Sequence, residues 1–443
     1  MKTILTLIFS LITSLFMTVG AQTWSSNLVT SQPHTGGAYY LKLALHDDTI
    51  FIAFTDKGNG EKVNVMKYVN NTWVHVGQPN FSPGEANNLQ FDISNGTPWV
   101  AFSDAANGNK ATVMRYTGGS WSTVGGAGMT KYIASSLALD VVGGTAYLAY
   151  SDAEFNDKAT VVKSDGGSWT TVGTPGFTPG MTGVYSLSVS GSTPYLAFRD
   201  YEHSYRATVM KYDGSAWVYV GEPGFTPFSH DGNNQGLAIH GGTPYLAARG
   251  VDARATVYKF NGSDWTPTGQ GALSDQTGFG LSMAISNEGV PYVAFGDGNN
   301  SGLLSVMRLV DNAWVSMGKR FSSSSVSSLN LAVKSNGTPI VSYNSIVVQE
   351  YLGITLVPDH TSDNDLRLYP NPNNGEFYLD IPGATEQLVD VGIWSLDGKL
   401  VRKYEVYLDG RQSMKIDNLK SGIYLLKATG NSFSVTRKMV VEM

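Results

Sequence analysis

The chain has 443 residues, of which 15% are charged, and a formal net charge of −6 with no basic run, so nucleic acid and anionic membranes are poor partners for it. Fifty glycines and 11% aromatic residues suit an all-β protein with many turns, and the absence of cysteine excludes disulfides, thiol nucleophiles and thiolate metal sites. The length allows a large core and more than one domain.

The first element is an export signal. Met1-Lys2-Thr3 is a short positive start, Ile4 to Val19 is an uncharged apolar run, and Val19-Gly20-Ala21 supplies small residues at a cleavage point. Residues 1–21 are therefore expected to be a secretory signal peptide, with a mature start near Gln22 and no transmembrane anchor in the mature chain.

From there a repeat governs the chain. Tryptophan recurs at Trp24, Trp73, Trp121, Trp169, Trp217, Trp265 and Trp314, at intervals of 48 or 49 residues. Each period holds four short β-patterned runs, A to D. In the third these are Ser136–Val141, Thr145–Asp152, Lys158–Lys163 and Trp169–Gly173. The A runs alternate, as in Leu137/Leu139/Val141, which marks a strand with one buried face. The A–B and C–D turns are tight and glycine-rich, as at Asn95-Gly96 and Asp213-Gly214, which are hairpin signals. Four antiparallel strands per period describe the blade of a β-propeller.

Seven A–B runs and seven tryptophans give seven blades. Trp24 precedes the first A strand, and the seventh A–B–C has no tryptophan after it. The economical architecture over residues 22–354 is a seven-bladed propeller whose ring is closed by the N-terminal strand. An open β-solenoid is the alternative, but the terminal repeats lack polar caps. The Y-x-G-x-x-W layout of Tyr212 to Trp217 resembles kelch-type propellers in spacing. The double glycine that kelch repeats carry at the end of strand B is absent, with Arg199-Asp200 standing there, so no kelch function is carried over. The galactose-oxidase-like enzymes on this fold use a cysteine–tyrosine cofactor, which a chain without cysteine cannot build.

Residues 355–366 are polar and acidic and read as a linker. The remainder, 367–443, has alternating apolar strands between Asn-Gly, Asp-Gly and Ser-Gly turns, the pattern of a small β-sandwich. It resembles the type A C-terminal sorting domain of the type IX secretion system of Bacteroidota. The matching residues are Tyr369-Pro370-Asn371-Pro372, Gly375 before Phe377, Gly398 in Asp-Gly-Lys, Gly422 and Tyr424 in Ser-Gly-Ile-Tyr-Leu, and Lys438 in the terminal Lys-Met-Val-Val. That resemblance implies export across the outer membrane, interaction with the secretion machinery, and a secreted or surface-displayed product.

The A–B and C–D turns share one face of the propeller, and the longer B–C and D–A connections share the other, where binding is expected. Asp56, Asp104, Asp152, Asp200 and Asp297 end strand B there. They read either as turn-capping groups or, more weakly, as ligands of Ca²⁺, with no other cofactor expected. Phe81, Met129, Phe177, Phe225 and Leu273 recur at the same step and read as interblade packing rather than sugar-stacking groups. Blades 4 and 5 break the rhythm. Arg199 and Arg249 stand where other blades have Ser or Thr, and the adjacent loops add Tyr201, Glu202, His203, Tyr205, His230, Asp231 and Asn234. These residues are the expected site for a glycan or protein ligand of a secreted binding module. The alternatives are a polysaccharide-active lyase or hydrolase using Glu202 and Asp231, and a structural or adhesive surface protein.

Overall fold

The computed structural model describes residues 22–29, 36–227, 229, 236–269, 273–274, 278–298, 302–354, 366–380, 385–395, 400–409, 412–416, 419–430 and 434–442. The expected signal peptide and the acidic linker up to Asp365 lie outside these residues. The blades fall in one compact unit, Trp24–Tyr351, while Leu352–Met443 fall in a second.

The first unit is a seven-bladed propeller of four-stranded antiparallel sheets. Blade 2 is representative: strands A (Ala86–Ser94), B (Thr97–Asp104), C (Lys110–Thr117) and D (Ser120–Thr123) pair in sequence order. Alternating strands A and almost fully buried strands B follow from the pleat, because strand B is covered by a neighbouring blade on each side. The seventh sheet joins Asn330–Val333, Pro339–Tyr343 and Val347–Ile354 to the N-terminal strand Gln22–Trp24, as the order of the tryptophans predicts. Strand D is the thinnest element, reduced to Thr170–Thr171 in blade 3.

Each blade is locked to the next at its tryptophan. The indole N–H of Trp121 donates to Val76 O, that of Trp169 to Val124 O, and that of Trp217 to Val172 O, each at 2.8 Å. The residue after each of these carbonyls is a glycine with positive φ. A Cβ on Gly77 or Gly221 would meet the next tryptophan at 3.0 or 2.8 Å. The recurring Phe81, Phe177 and Phe225 lie flat on Trp121, Trp217 and Trp265, with ring centroids 4.1 to 4.7 Å apart. Met129 and Leu273 pack in the corresponding clusters with Trp169 and Trp314.

The A strands are the innermost, and those of blades 1, 2, 3, 4 and 6 begin with a bulge that the alternation alone does not reveal. Tyr40, Asn88, Ser136 and Gly280 take φ between 52° and 54° at this point. Side chains also tie neighbouring A strands together. Asp92 accepts from Val141 N at 2.6 Å, Asp140 accepts from Val189 N, and Asn330 Nδ2 donates to Leu41 O at 2.8 Å to close the ring.

The second unit has two sheets. One holds Arg367–Tyr369, Glu376–Asp380 and Gln412–Lys415. The other orders Leu400–Asp409, Thr385–Ser395, Gly422–Thr429 and Ser434–Val441. Phe377, Leu379 and Met414 of the first sheet share a core with Val391, Leu426 and Met439 of the second, which makes a sandwich.

Candidate functional site

Four of the five strand-ending aspartates, Asp56, Asp104, Asp152 and Asp200, are capping groups. Asp56 accepts from Gly58 N at 3.0 Å and from Asn59 Nδ2 at 2.6 Å. Asp104 accepts from Ala106 N, Asn107 Nδ2 and Thr112 Oγ1, and Asp152 from Glu154 N and Thr160 Oγ1. Asp297 is paired with Arg320 at 3.0 Å. All five are buried, and in Asp56, Asp104, Asp152 and Asp200 the oxygens are aimed at donor hydrogens, which a cation cannot share, whereas Asp297 Oδ1 is buried without a hydrogen-bond partner. The chemistry of those four fits short turns, which supply the N–H groups, and does not fit a calcium cage.

In blade 4 the same cap absorbs His203. Asp200 accepts from Glu202 N at 3.1 Å and from Thr208 Oγ1 at 2.8 Å, and His203 Nδ1 donates to it at 2.8 Å. His203 thus stands where Asn59 and Asn107 stand in blades 1 and 2, three residues after the aspartate. That spacing is visible in the sequence and signals a capping role. Glu202 is exposed, and its methylene sits against Gly180.

Arg199, Tyr201 and Tyr205 come together. The two rings meet edge to face at 4.8 Å, and the Arg199 guanidinium carbon lies 4.7 Å from the Tyr205 centroid and 5.7 Å from that of Tyr201. Tyr201 and Tyr205 are 39% and 45% exposed, whereas Arg199 Nε is buried without a hydrogen-bond partner. Ser204 and Tyr205 both hold positive φ, which turns the tyrosine back over the arginine.

Arg249 belongs elsewhere. Its Nε donates to Gly278 O at 3.1 Å, at the start of the next blade's strand A, and its guanidinium covers Phe279 at 5.0 Å. Ser103 and Ser151 make the same link in blades 2 and 3, donating to Ala134 O and Thr182 O at 2.7 Å. The arginine is a longer version of a scaffold hydroxyl, so its departure from the repeat has a structural cause. His230, Asp231 and Asn234 lie outside the described residues.

Among the described residues no three His, Asp or Glu side chains are grouped as a metal site demands, and no helix is long and apolar enough to cross a membrane. Three clear electrostatic perturbations lie on the A strands. Burial pushes the Lys42 ammonium down to about 8. Burial, and then the charge of Asp140, raise Asp92 well above the carboxylate range. Asp140 is itself raised by burial.

In the tail, distant motifs converge. Asn371 Nδ2 donates to Lys438 O and Asn371 Oδ1 accepts from Val440 N, each at 2.7 Å, while Asn373 N donates to Val440 O at 2.9 Å. Both proline bonds of Tyr369-Pro370-Asn371-Pro372 are cis. Gly375 needs its φ of 95°, and Tyr424 Oη donates to Lys420 O at 2.8 Å. Gly398 lies outside the described residues.

Residues 367–442 match the secretion system C-terminal sorting domain. The protein is therefore an exported, all-β propeller protein whose tail addresses it to the type IX machinery, and its location is secreted or on the outer surface. No curated protein matches the chain. Among solved structures it is similar to a fungal alcohol oxidase of the AA5 family in complex with copper, with TM-score 0.49 and 9% identity over 95% of this chain and 100% of that one. It is also similar to the Aleuria aurantia lectin in complex with Fucα1-6GlcNAc (TM-score 0.42, 15% identity, 64% and 96% covered). AofleA from Arthrobotrys oligospora is a further similar structure, with TM-score 0.40, 10% identity, and 67% and 88% covered. These likenesses concern the fold.

Proposed function

We propose that the exported propeller is a binding module that takes a carbohydrate on its long-loop face, at Tyr201 and Tyr205. The observation that carries this reading is the exposed tyrosine pair held against Arg199, with ring centroids 4.8 Å apart and the guanidinium carbon 4.7 Å from Tyr205. Two exposed, fixed aromatic faces stack on the C–H face of a sugar, and their hydroxyls with the guanidinium donate to ring substituents. The surrounding caps make the loop rigid, so little ordering entropy opposes binding.

The test is a glycan array probed with the full chain and with the Tyr201→Ala and Tyr205→Ala variants. Retention of one glycan class, weakened at least tenfold by either substitution, is the expected result. Retention that neither substitution changes, or none at all, would overturn the reading.

A further inference from the structure

The opposite face carries a motif that the tryptophan period conceals. On strands B and C of six blades an aromatic residue is paired directly with a cation: Phe51–Lys67, Trp99–Arg115, Tyr147–Lys163, Tyr195–Lys211, Tyr245–Lys259 and Tyr292–Arg308. All six aromatic side chains are buried, and all six pairs lie toward the A–B and C–D turns. In blade 6 the pair reaches the next blade, because Tyr292 Oη donates to Gly337 O at 3.0 Å in the A–B turn of blade 7.

Blade 2 departs from this pattern, having tryptophan where blades 3 to 6 have tyrosine. The turn equivalent to that of Gly337 is Gly143-Gly144 of blade 3, and Trp99 has no hydroxyl to offer it. Its indole N–H is buried without an acceptor, and the ring is 2% exposed. A cavity of about 290 Å³ opens here between blades 2 and 3. Its wall includes Trp99, Arg115, Thr97, Thr117, Thr145 and Asp165. Arg115 lies over the Trp99 ring at 5.4 Å, and a Cβ on Gly166 would collide with its guanidinium, so the arginine is clamped between an indole and a glycine of the next blade.

We infer that this cavity is a second ligand site, one that takes a single hydroxyl-rich ring, a monosaccharide unit. The chemistry of its wall selects that class. Arg115 donates only and Asp165 accepts only, while the threonine hydroxyls do both, which matches a ligand whose hydroxyls act both ways. The volume lies at the small end of ligand pockets and admits one ring rather than an extended chain. Gly143 and Gly144 place no side chain on their part of the wall. The inference stands on blade 2 alone and does not depend on the tyrosine pair of blade 4.

Saturation-transfer NMR tests it, using the full chain with methyl glycosides of galactose, fucose, N-acetylglucosamine and glucuronic acid at millimolar concentration. The informative variant is Trp99→Tyr, which installs the residue that blades 3 to 6 already accept and supplies the bridging hydroxyl. Its thermal transition serves as the folding control. Transfer to at least one glycoside that falls tenfold or more in Trp99→Tyr and in Arg115→Ala, yet persists in Tyr201→Ala, is the expected outcome. Transfer that survives Trp99→Tyr, transfer lost only in Tyr201→Ala, or no transfer to any of the four would overturn it. The second of these outcomes would at the same time support the blade 4 site.

Discussion

Trp24 Nε1 donates to Met317 O at 2.8 Å across 293 residues of chain, and its ring lies flat on Phe321 at 4.7 Å. The other six tryptophans reach back only 45 or 46 residues for the same bond. One repeated contact therefore serves both to join successive blades and to shut the ring. Replacing Trp24 with alanine should cost about 3–5 kcal/mol, as for other large aromatic truncations, and Trp24→Phe, which keeps the stacking but loses the donor, about 1 kcal/mol. Urea unfolding measures both. A Trp24→Ala variant as stable as the parent would mean that the ring does not rely on this strand.

The same contact sets a steric limit on the following glycine. Gly221 has φ of 74°, and a Cβ there would meet Trp265 Cδ1 at 2.8 Å. Gly241 has φ of 54° with nothing within 4 Å. Gly241→Ala should lose only the left-handed backbone penalty, about 1 kcal/mol, whereas Gly221→Ala should add a clash and lose about 2–4 kcal/mol. Equal losses in the two variants would show that the tryptophan yields at no cost.

The contrast also explains what the sequence displays and what it hides. Blade number and closure are legible because every interblade contact uses the same tryptophan, and most use the same following glycine and a large apolar partner, at the same step, so packing writes a period. Departures are ambiguous because two causes produce them. Arg199 departs and gathers two exposed tyrosines, but Arg249 departs and performs the task of Ser103 and Ser151. The end of a long side chain is decided by the neighbouring blade, which the local sequence does not contain. Trp99 was harder to see, since a tryptophan among tyrosines looks conservative until the missing hydroxyl is traced to a turn one blade away.

His203 offers a clean separation of capping from binding. Asp200 accepts from Glu202 N, His203 and Thr208 at once. His203→Asn reproduces blades 1 and 2 and should change stability by no more than about 0.5 kcal/mol. Asp200→Ala leaves the Thr208 hydroxyl and the turn N–H unmatched and should cost about 1–2 kcal/mol. Thermal unfolding compares them, and a large loss in His203→Asn would show that the imidazole does more than cap.

Lys42 should give stability an alkaline dependence. Its ammonium is pushed down to about 8 from an ordinary 10.5 by burial alone. A depressed folded-state value means that stability is fully present above the unfolded value and is lost as pH falls through about 8. Lys42→Met should therefore raise the melting temperature at neutral pH, with the gain vanishing above about pH 10.5. Melting curves between these limits check the sign, and a gain that is constant with pH would assign the effect to packing instead.

Asp92 should act in the opposite direction at acid pH. It is half-buried on strand A of blade 2, hydrogen-bonded to Val141 N and to Asp140, and raised first by burial and then by the Asp140 charge. A raised folded-state value means that its contribution is complete below the unfolded carboxylate value, about 3.9, and is lost as pH rises through the higher folded value. Burial and mutual repulsion are the reason, since both carboxyls cannot ionise in one poorly solvated place. Asp92→Asn imitates the protonated form: its oxygen can still accept from Val141 N and its amide can donate to Asp140, at the loss of the acceptor that Asp92 Oδ1 offers Ile93 N. It should stabilise the propeller at neutral pH and make no difference below about pH 3.9. The Asp140 value should stay close to that of the parent, because the amide donates to that carboxyl as the protonated Asp92 does, and NMR titration of Asp140 checks it. A destabilised Asp92→Asn variant at neutral pH would mean that the ionised pair, rather than a protonated Asp92, holds the A strands of blades 2 and 3 together.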